Sequence, residues 1–517
     1  MPLEMLPRLI LALFFLSGSV MAGHYLFWMP FSSKSMKIGV MDMVEELAVR
    51  GHHITIVSAY DSKKKVPGIK DIVIKSDFEA LVQTALGKIL KSEKGADVPW
   101  HQAIDHTIED NRQAFSHPEF QDLLAKEKID VVCVVPFGNE GGYYLAHKKN
   151  ASLALLWTGV GTVPWIHSAM ANPWNVATSP LPLTGYSQDM TFPQRIVNTL
   201  ATMAISAVNE FYIRPKVDAL LVEVFPSDSD IPSISTMAKT SALLITHGSP
   251  FLGDGLRPIM PNTIQGALMS CKPIKEQLPK HLAEFLETAE HGVIFISFGS
   301  LISPSQMPES KRIMFVNVFK SLKQRVIWKW TGEMLDAPSN VLISSWLPQQ
   351  ALLAHKNLQL FISHAGAGSL QETICHKTPI VGIPINSDQP ANANEAVLRG
   401  FGVKVDWASL SEASLTAAIQ EVLGNPSYQE AIERLQEKIL DTPQPPLEQA
   451  VWWLEYLLRH PKNMSMRSPE HELTWAQILL LDVLSLYLLA LITVCCLLWA
   501  LMRCCCPSRR MGKEKGE

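Results

Sequence analysis

Charge is scarce along these 517 residues: Asp, Glu, Lys and Arg make up 18%, the formal net charge is -4, and no basic stripe stands out within the bulk of the chain. Nucleic acid as a partner is thereby excluded, because a polyanion is met by clustered Lys and Arg. With 47% apolar residues, disorder is excluded too, and the length gives room for two large domains. No internal repeat or low-complexity block occurs. Cysteine is also sparse where it would matter. Of eight, Cys495, Cys496, Cys504, Cys505 and Cys506 lie in or beside a terminal apolar run, which leaves Cys133, Cys271 and Cys375 for the rest. That count suggests neither a disulfide framework nor a metal site.

What is present begins with two apolar ends. Residues 1–22 carry Arg8, an apolar run from Leu9 to Leu16 and small residues at Val20 and Ala22, the pattern of a cleavable secretory signal. Residues 483–502 are apolar throughout and are followed by Arg503, Arg509, Arg510, Lys513 and Lys515. They read as a transmembrane helix with residues 461–482 as a juxtamembrane segment and 503–517 as a cytosolic tail, since positive charge stays on the cytosolic side. Lys513 and Lys515 stand at dilysine retrieval spacing, and Asn150 and Asn463 open glycosylation sequons. The expected localisation is therefore the endoplasmic reticulum membrane, single-pass type I, with the bulk luminal.

Between these ends, short apolar runs alternate with amphipathic stretches. Tyr25–Met29, His53–Ala59, Asp71–Lys75, Asp130–Val135 and Leu153–Trp157 come first. Val293–Ser297, Arg325–Trp330, Val341–Ser345, Leu358–Ser363, Pro379–Ile383 and Val403–Asp406 follow after a Pro-containing linker at 270–280. Alternation of this kind predicts parallel sheets, so the fold class is α/β with two Rossmann-like domains, 23–275 and 276–460, facing a cleft. A last luminal helix, Leu447–Arg459, follows a Pro-rich break and is expected to return to the first domain. The apolar stretch Ile196–Tyr212 reads first as core of that domain, with a membrane-surface helix as the other reading.

The chemistry is concentrated in Trp346–Gln389. The strand Leu358–Ser363 delivers His364 into the small-residue turn Ala365-Gly366-Ala367-Gly368-Ser369, which opens a helix containing Glu372. Backbone N–H groups at such a helix start carry partial positive charge and suit a diphosphate, and small side chains let its oxygens approach. Trp346 offers a flat face for a base and Gln349 an amide for its edge or the ribose. Glu372 can accept from ribose hydroxyls, and Asp388 with Gln389 follows the next strand, at the end where open α/β sheets place ligands. Phe298-Gly299-Ser300 closes an earlier strand and adds Ser300 as a second donor to the phosphates. No metal is called for if dipole, imidazole and hydroxyl share the leaving group's charge.

This ordered set, W-x-P-Q, then H-x-G-x-x-S-x-x-E, then D-Q, resembles the signature of the UDP-glycosyltransferases, the animal UDP-glucuronosyltransferase type included. The resemblance runs from the secretory start to the membrane tail and implies a GT-B fold. It also implies UDP-sugar as donor substrate with no cofactor, a small lipophilic acceptor, inverting displacement at the anomeric carbon, and a homodimer. Ala365 stands where the family has the first of two paired glycines. The family's base is a histidine after the first strand, oriented by an aspartate after a later one. Counting from Arg50-Gly51-His52 and from Asp130 places these positions at Met36 and Val135, neither of which can hold a proton. Lys34, Lys37 and Glu140 are the substitutes within the loops concerned, Glu140 being the catalytic candidate. The remaining alternatives are acceptors acidic enough to need no base, or a non-catalytic UDP-sugar-binding homologue.

Overall fold

The computed structural model describes residues 22–62, 65–91, 100–253, 255–271, 274, 277–299, 306–461 and 467–505. The expected signal segment up to residue 21, Ser300, Asn463, Lys513 and Lys515 lie outside these. The described residues fall into a body, up to residue 466, and a C-terminal unit from Arg467 onward.

The body holds two parallel sheets. The first contains β1 (His24–Met29), β2 (His53–Ser58), β3 (Ile69–Val73), β4 (Val131–Val134), β5 (Ser152–Trp157), β6 (Leu243–Thr246) and β7 (Thr263–Gln265), in the order β3-β2-β1-β4-β5-β6-β7. The second contains β8 (Val293–Ser297), β9 (Arg325–Lys329), β10 (Val341–Ser344), β11 (Leu358–Ser363), β12 (Ile380–Gly382) and β13 (Gly402–Lys404), in the order β10-β9-β8-β11-β12-β13. Every residue of β1 and β8 is buried, which is why these segments read as unbroken apolar runs and not as alternating ones. β6 and β7 are too short, at four and three residues, to stand out from their flanking loops in the sequence.

Strand order reverses between β1 and β4 in the first sheet and between β8 and β11 in the second. The carboxyl ends at those two points are the natural ligand crevices of such sheets. Met36 and Val135 follow β1 and β4; Gly299 and His364 follow β8 and β11.

Four helices shape the first domain's side of the molecule. α1 (Lys34–Val49) leaves β1 under the cap of Ser33, whose hydroxyl accepts from the Met36 amide at 3.2 Å. α2 (Phe78–Lys91) belongs by sequence to the first domain but inserts Leu86, Ile89 and Leu90 among Met307, Phe298 and Trp407 of the second. α3 (Phe192–Val208) continues through a π-helical turn, Asn209–Ile213, into α4 (Arg214–Val224). The wider turn absorbs the missing N–H of Pro215. α3 and that turn expose most of their apolar side chains, so the core reading of Ile196–Tyr212 is overturned: Asn198, Thr202 and Asn209 are what they bury.

Three of the body's other helices bear on the site. α5 (Ala367–Cys375) follows β11, and α6 (Gln389–Leu398) follows β12. α7 (Pro446–Arg459) returns from the second domain, as expected, and seats Ala450, Val451, Leu454 and Leu457 on the first sheet among Tyr25, Phe27 and Ile56. Arg50 pairs with Glu448 and with the buried Glu455 of this helix.

Counting cysteines misses one bond. Cys271, just past β7, and Cys375, the last residue of α5, form a disulfide across 104 residues, against the expectation of none. It joins the chain leaving the first sheet to the helix that opens at the Gly366 turn. In the chain-entropy picture, closing a loop of that size removes about 4–5 kcal/mol of unfolded-state freedom. Cys271→Ser is accordingly expected to lower the denaturant midpoint markedly under oxidising conditions, and dithiothreitol is expected to have no additional effect on that variant.

The C-terminal unit contains α8 (Leu481–Cys505), whose segment Leu481–Arg503 has a mean hydropathy of 2.5 and is exposed along its length. It extends the expected span by a few residues at each end.

Candidate functional site

At the reversal point of the second sheet, the His364 ring lies between two glycines. A methyl group on Gly299 would come within 2.7 Å of the ring, and one on Gly366 within 2.5 Å. Only glycine therefore allows backbone this close on both sides of the imidazole. Gly299 also adopts φ +82. Burial and the charge of Lys329 push the His364 pKa down to about 4, against a weaker pull upward from the Ser297 carbonyl. The ring is neutral at pH 7 in the absence of an anion.

The turn after it depends on Ala365, which takes φ +60, a left-handed conformation costing a non-glycine residue roughly 1 kcal/mol. Its methyl group is wholly buried beside Leu252, Leu370 and Ile374, and its carbonyl accepts from Asn392 Nδ2 at 3.0 Å. Packing and that bond hold a conformation that glycine would adopt unaided. α5 then starts at Gly366 with no side-chain cap, so the amides of its first turn have no side-chain acceptor.

Further along α5, Glu372 accepts from Gln349 Nε2 at 2.5 Å and from Gln350 Nε2 at 3.2 Å, and Gln349 also donates to Ser369 Oγ at 3.2 Å. Residues distant in sequence thus form one wall. Burial raises the Glu372 carboxyl, the two amides and the Lys329 charge opposing it. Trp346 borders this wall and is 55% exposed, and the Lys34 ammonium of the first domain stands 5.4 Å from its ring centroid. An open aromatic platform with a cation over it already spans the two domains.

Asp388 stands at the start of α6 and accepts from Asn392 Nδ2 at 2.7 Å; burial raises its carboxyl. Gln389 is turned inward, its Oε1 accepting from the Ile385 and Asn386 amides at 2.9 and 3.2 Å and its Nε2 donating to Asn386 Oδ1. The intervening Ser387 sits at φ +58, so the loop is held in a sparsely populated conformation.

Two contributors are not legible in the sequence. Lys329 ends β9, donates to the Gly299 carbonyl at 2.9 Å, and acts electrostatically on both His364 and Glu372. A cation at a strand end is the one signal that could have found it. The other is Gln371, whose Oε1 accepts from the Leu268 amide at 3.0 Å and whose Nε2 lies 2.9 Å from His247 Nδ1, so α5 is bonded directly to the first domain.

His247 is 5% exposed, and burial takes its pKa to about 4, below the 6.5 of a free histidine. Between those values the unfolded chain holds a proton that the folded one does not. Stability therefore rises with pH from 4 to 6.5 and is complete above it, a difference of about 3 kcal/mol for this residue. Denaturant midpoints at pH 4.5 and 7.5 should show that rise, and His247→Gln should shrink it.

At the reversal point of the first sheet, the two positions at which a base is expected carry apolar side chains. Val135 is buried and Met36 packs against the same apolar cluster, together with Met29, Val40 and Cys133. Lys37 is drawn away into a buried pair with Asp71 at 2.6 Å and donates to the Tyr60 carbonyl, which removes it as a base. Asn139 links the two loops, accepting from the Phe31 amide and donating to the Phe31 and Val135 carbonyls. Glu140, next to it, is 5% exposed with Oε2 unpartnered; burial raises its carboxyl, and the Arg214 charge and neighbouring amides oppose that.

Among the described residues no three His, Cys, Asp or Glu side chains gather as a metal would need. The sequence does contain one Asp-x-Asp triplet, Asp228-Ser229-Asp230, in the first domain. Asp228 is paired with Tyr144 and Lys148.

Comparison with known proteins agrees with the fold. Solved structures that align with the chain include CalG4, the calicheamicin glycosyltransferase, at TM-score 0.59 and 18% identity, covering 85% of this chain and 100% of that one. Another is a UDP-glucose: anthocyanidin 3-O-glucosyltransferase in complex with UDP, at TM-score 0.54 and 13% identity, covering 85% and 99%. Among sequence relatives, UDP-glucosyltransferase 2 of Dactylopius coccus is 31% identical across 88% of this chain and 87% of its own length. UDP-glucuronosyltransferase 2B10 of Homo sapiens is 28% identical across 96% and 94%. The model of the family described as UDP-glucoronosyl and UDP-glucosyl transferase matches residues 26–516. With a GT-B pair of α/β domains and that match over nearly its whole length, the chain belongs to this family and is a UDP-glycosyltransferase.

Proposed function

We propose that the chain transfers a hexosyl or glucuronosyl group from UDP-sugar to small lipophilic acceptors that ionise readily, at the luminal face of the endoplasmic reticulum membrane. The observation carrying the donor half is the uncapped start of α5 beside His364, with Lys329 behind it. The diphosphate takes the amides of the α5 first turn, with Ser369 and, from the opposite turn, Ser300 as further donors. Trp346 stacks on the uracil, Gln349 and Glu372 hold the ribose side, and Asp388 and Gln389 meet the sugar hydroxyls once the 385–389 loop releases the Gln389 amide.

On the acceptor side, Met36 and Val135 supply no base. An acceptor with a thiol, carboxylic acid or acidic phenol arrives partly ionised and attacks the anomeric carbon directly, UDP leaving from the opposite face. Glu140 is the alternative base, reached through the same loop, and Glu140→Gln distinguishes it: a drop in transfer to a nitrophenol of about a hundredfold or more, the range of general-base catalysis, would assign it that role. Membrane attachment rests on α8, type I orientation and retrieval on the basic tail with Lys513 and Lys515, and domain limits at 23–275 and 276–460 on the two sheets. Calorimetric titration of the solubilised chain with UDP tests the donor half. Binding weakened at least about tenfold by Asp388→Ala with UDP-glucose but unchanged with UDP would place that residue on the sugar. Donor binding with no transfer to any acidic acceptor would leave a UDP-sugar-binding homologue.

A further inference from the structure

At the end of the second sheet away from His364, the amino ends of β11 and β12 border a cavity of about 500 Å³. Two His-Lys pairs distant in sequence meet there: His355-Lys356, which leads into β11, and His376-Lys377, which follows α5. None of the fifteen residues lining it is an aspartate or a glutamate. Among the described residues neither Lys356 nor Lys377 forms an ion pair, whereas Arg399 and Lys404 of the same domain are paired with Glu395 and Asp406. The carboxylates nearby stand outside the lining: Glu287 acts on His355, and Glu421 accepts from Asn425 and Tyr428.

The local backbone singles out the same place. Lys377 takes φ +57 just past the end of α5, a position that ordinarily falls to glycine, so a disfavoured conformation carries a cation at the cavity's edge. His376 Nε2 is shielded from solvent and has no hydrogen-bond partner among the described residues, an unmet polar group beside the cavity. His355 Nδ1 accepts from the Asn357 amide at 3.2 Å, which leaves Nε2–H as its donor. Burial lowers the pKa of both imidazoles, Glu287 opposing it and Lys356 adding to it at His355, so the lysines carry the charge at pH 7. A further wall comes from the start of the helix Ser427–Leu440, which follows Pro426 without a side-chain cap and adds the partial positive charge of its first-turn amides. The carboxyl end of α5 acts against an anion, but its Cys375 carbonyl is taken by Gln436 Nε2 at 2.7 Å.

We infer that this cavity binds a small soluble molecule carrying two linked phosphate groups, at the opposite end of the strands from the proposed donor site. Lys356 and Lys377 meet its charge, the imidazoles and amides supply donors, and Leu358 and Val422 take an apolar remainder. A single carboxylate would leave one ammonium unmatched; two phosphates satisfy both, with oxygens to spare for the neutral donors. The site goes beyond the proposed transfer chemistry and depends on neither of its halves.

The full-length chain, solubilised in a nonionic detergent with UDP present in excess to fill the donor site, is titrated calorimetrically with inorganic pyrophosphate. The buffer is free of metal ions and holds salt at about 0.15 M, which screens diffuse attraction between exposed charges. One equivalent of pyrophosphate is expected to bind beside UDP. Lys356→Ser and Lys377→Gly are each expected to weaken it at least about fivefold, the loss of one charged hydrogen bond, and the double variant to abolish it, with UDP binding unchanged. Lys356 is exposed and glycine adopts φ +57 without strain, so folding is not at issue. Lys323→Ser, at another exposed lysine of the same domain, is the control that leaves pyrophosphate binding as it is. Pyrophosphate that binds only when UDP is absent occupies the donor site and overturns the inference. Binding that both variants leave intact, or that Lys323→Ser weakens equally, overturns it as well. A chain that takes up no UDP bears on the proposed donor site alone, because the variants still read this cavity.

Discussion

His364→Ala is expected to lower kcat/KM for sugar transfer about a hundred- to a thousandfold, with the fold intact, because in the proposed donor site it removes the group that meets charge as UDP departs. The free enzyme holds this imidazole neutral, with its pKa at about 4 from burial and from Lys329. An incoming diphosphate reverses that balance, since anionic oxygens against the ring favour its charged form. The pKa in the complex then lies above that in the free protein, so UDP binding takes up a proton and tightens as pH falls through the bound value. Titrations across a range of roughly pH 5–8 should show that slope in the native protein and lose most of it in His364→Ala. Gly366→Ala should give a related loss by a different route, because the new methyl group would occupy the space 2.5 Å from the ring. A His364→Ala protein with native turnover would remove the imidazole from the donor site altogether.

A second large effect is expected from the acceptor. General-base assistance contributes roughly a hundred- to ten-thousandfold, so if Met36 and Val135 hold the two base positions, as proposed, the site loses that much on acceptors that cannot ionise unaided. Both residues share one apolar cluster with Met29 and Val40, so neither side chain offers a proton acceptor. Lys37 is committed to Asp71, and Lys34 stands over Trp346. For a series of phenols, transfer should therefore follow the acceptor's own ionisation, rising with pH up to the phenol's pKa and showing no additional enzymic step at roughly pH 6–7. Such a step, abolished by Glu140→Gln, would instead establish Glu140 as the base.

The elements of the proposed donor site are legible in the sequence because their signal is local. A strand, a turn of small residues and a helix start follow one another in sequence, and His364, Ser369 and Glu372 fall where those elements put them. The alternation of strands is equally plain, since central parallel strands such as β1 and β8 are apolar on both faces. What escapes depends on tertiary placement. Lys329 and Gln371 matter through neighbours far along the chain, and Cys271 meets Cys375 only because α5 packs on the chain leaving β7. The helix at 192–212 is misread for another reason: apolar composition does not say which face a helix turns inward, and here the buried face carries Asn198, Thr202 and Asn209.

The proposed apolar replacement of the two base positions is tested most directly by competition between acceptors. One reaction containing a single UDP-sugar, an alkanol and a thiol of the same carbon skeleton is followed by mass detection of both glycosides. Thioglycoside is expected in excess of the alkyl glycoside by about a hundredfold or more. Comparable yields of the two, or faster transfer to the alkanol, would contradict that expectation and require a base that Met36 and Val135 do not provide.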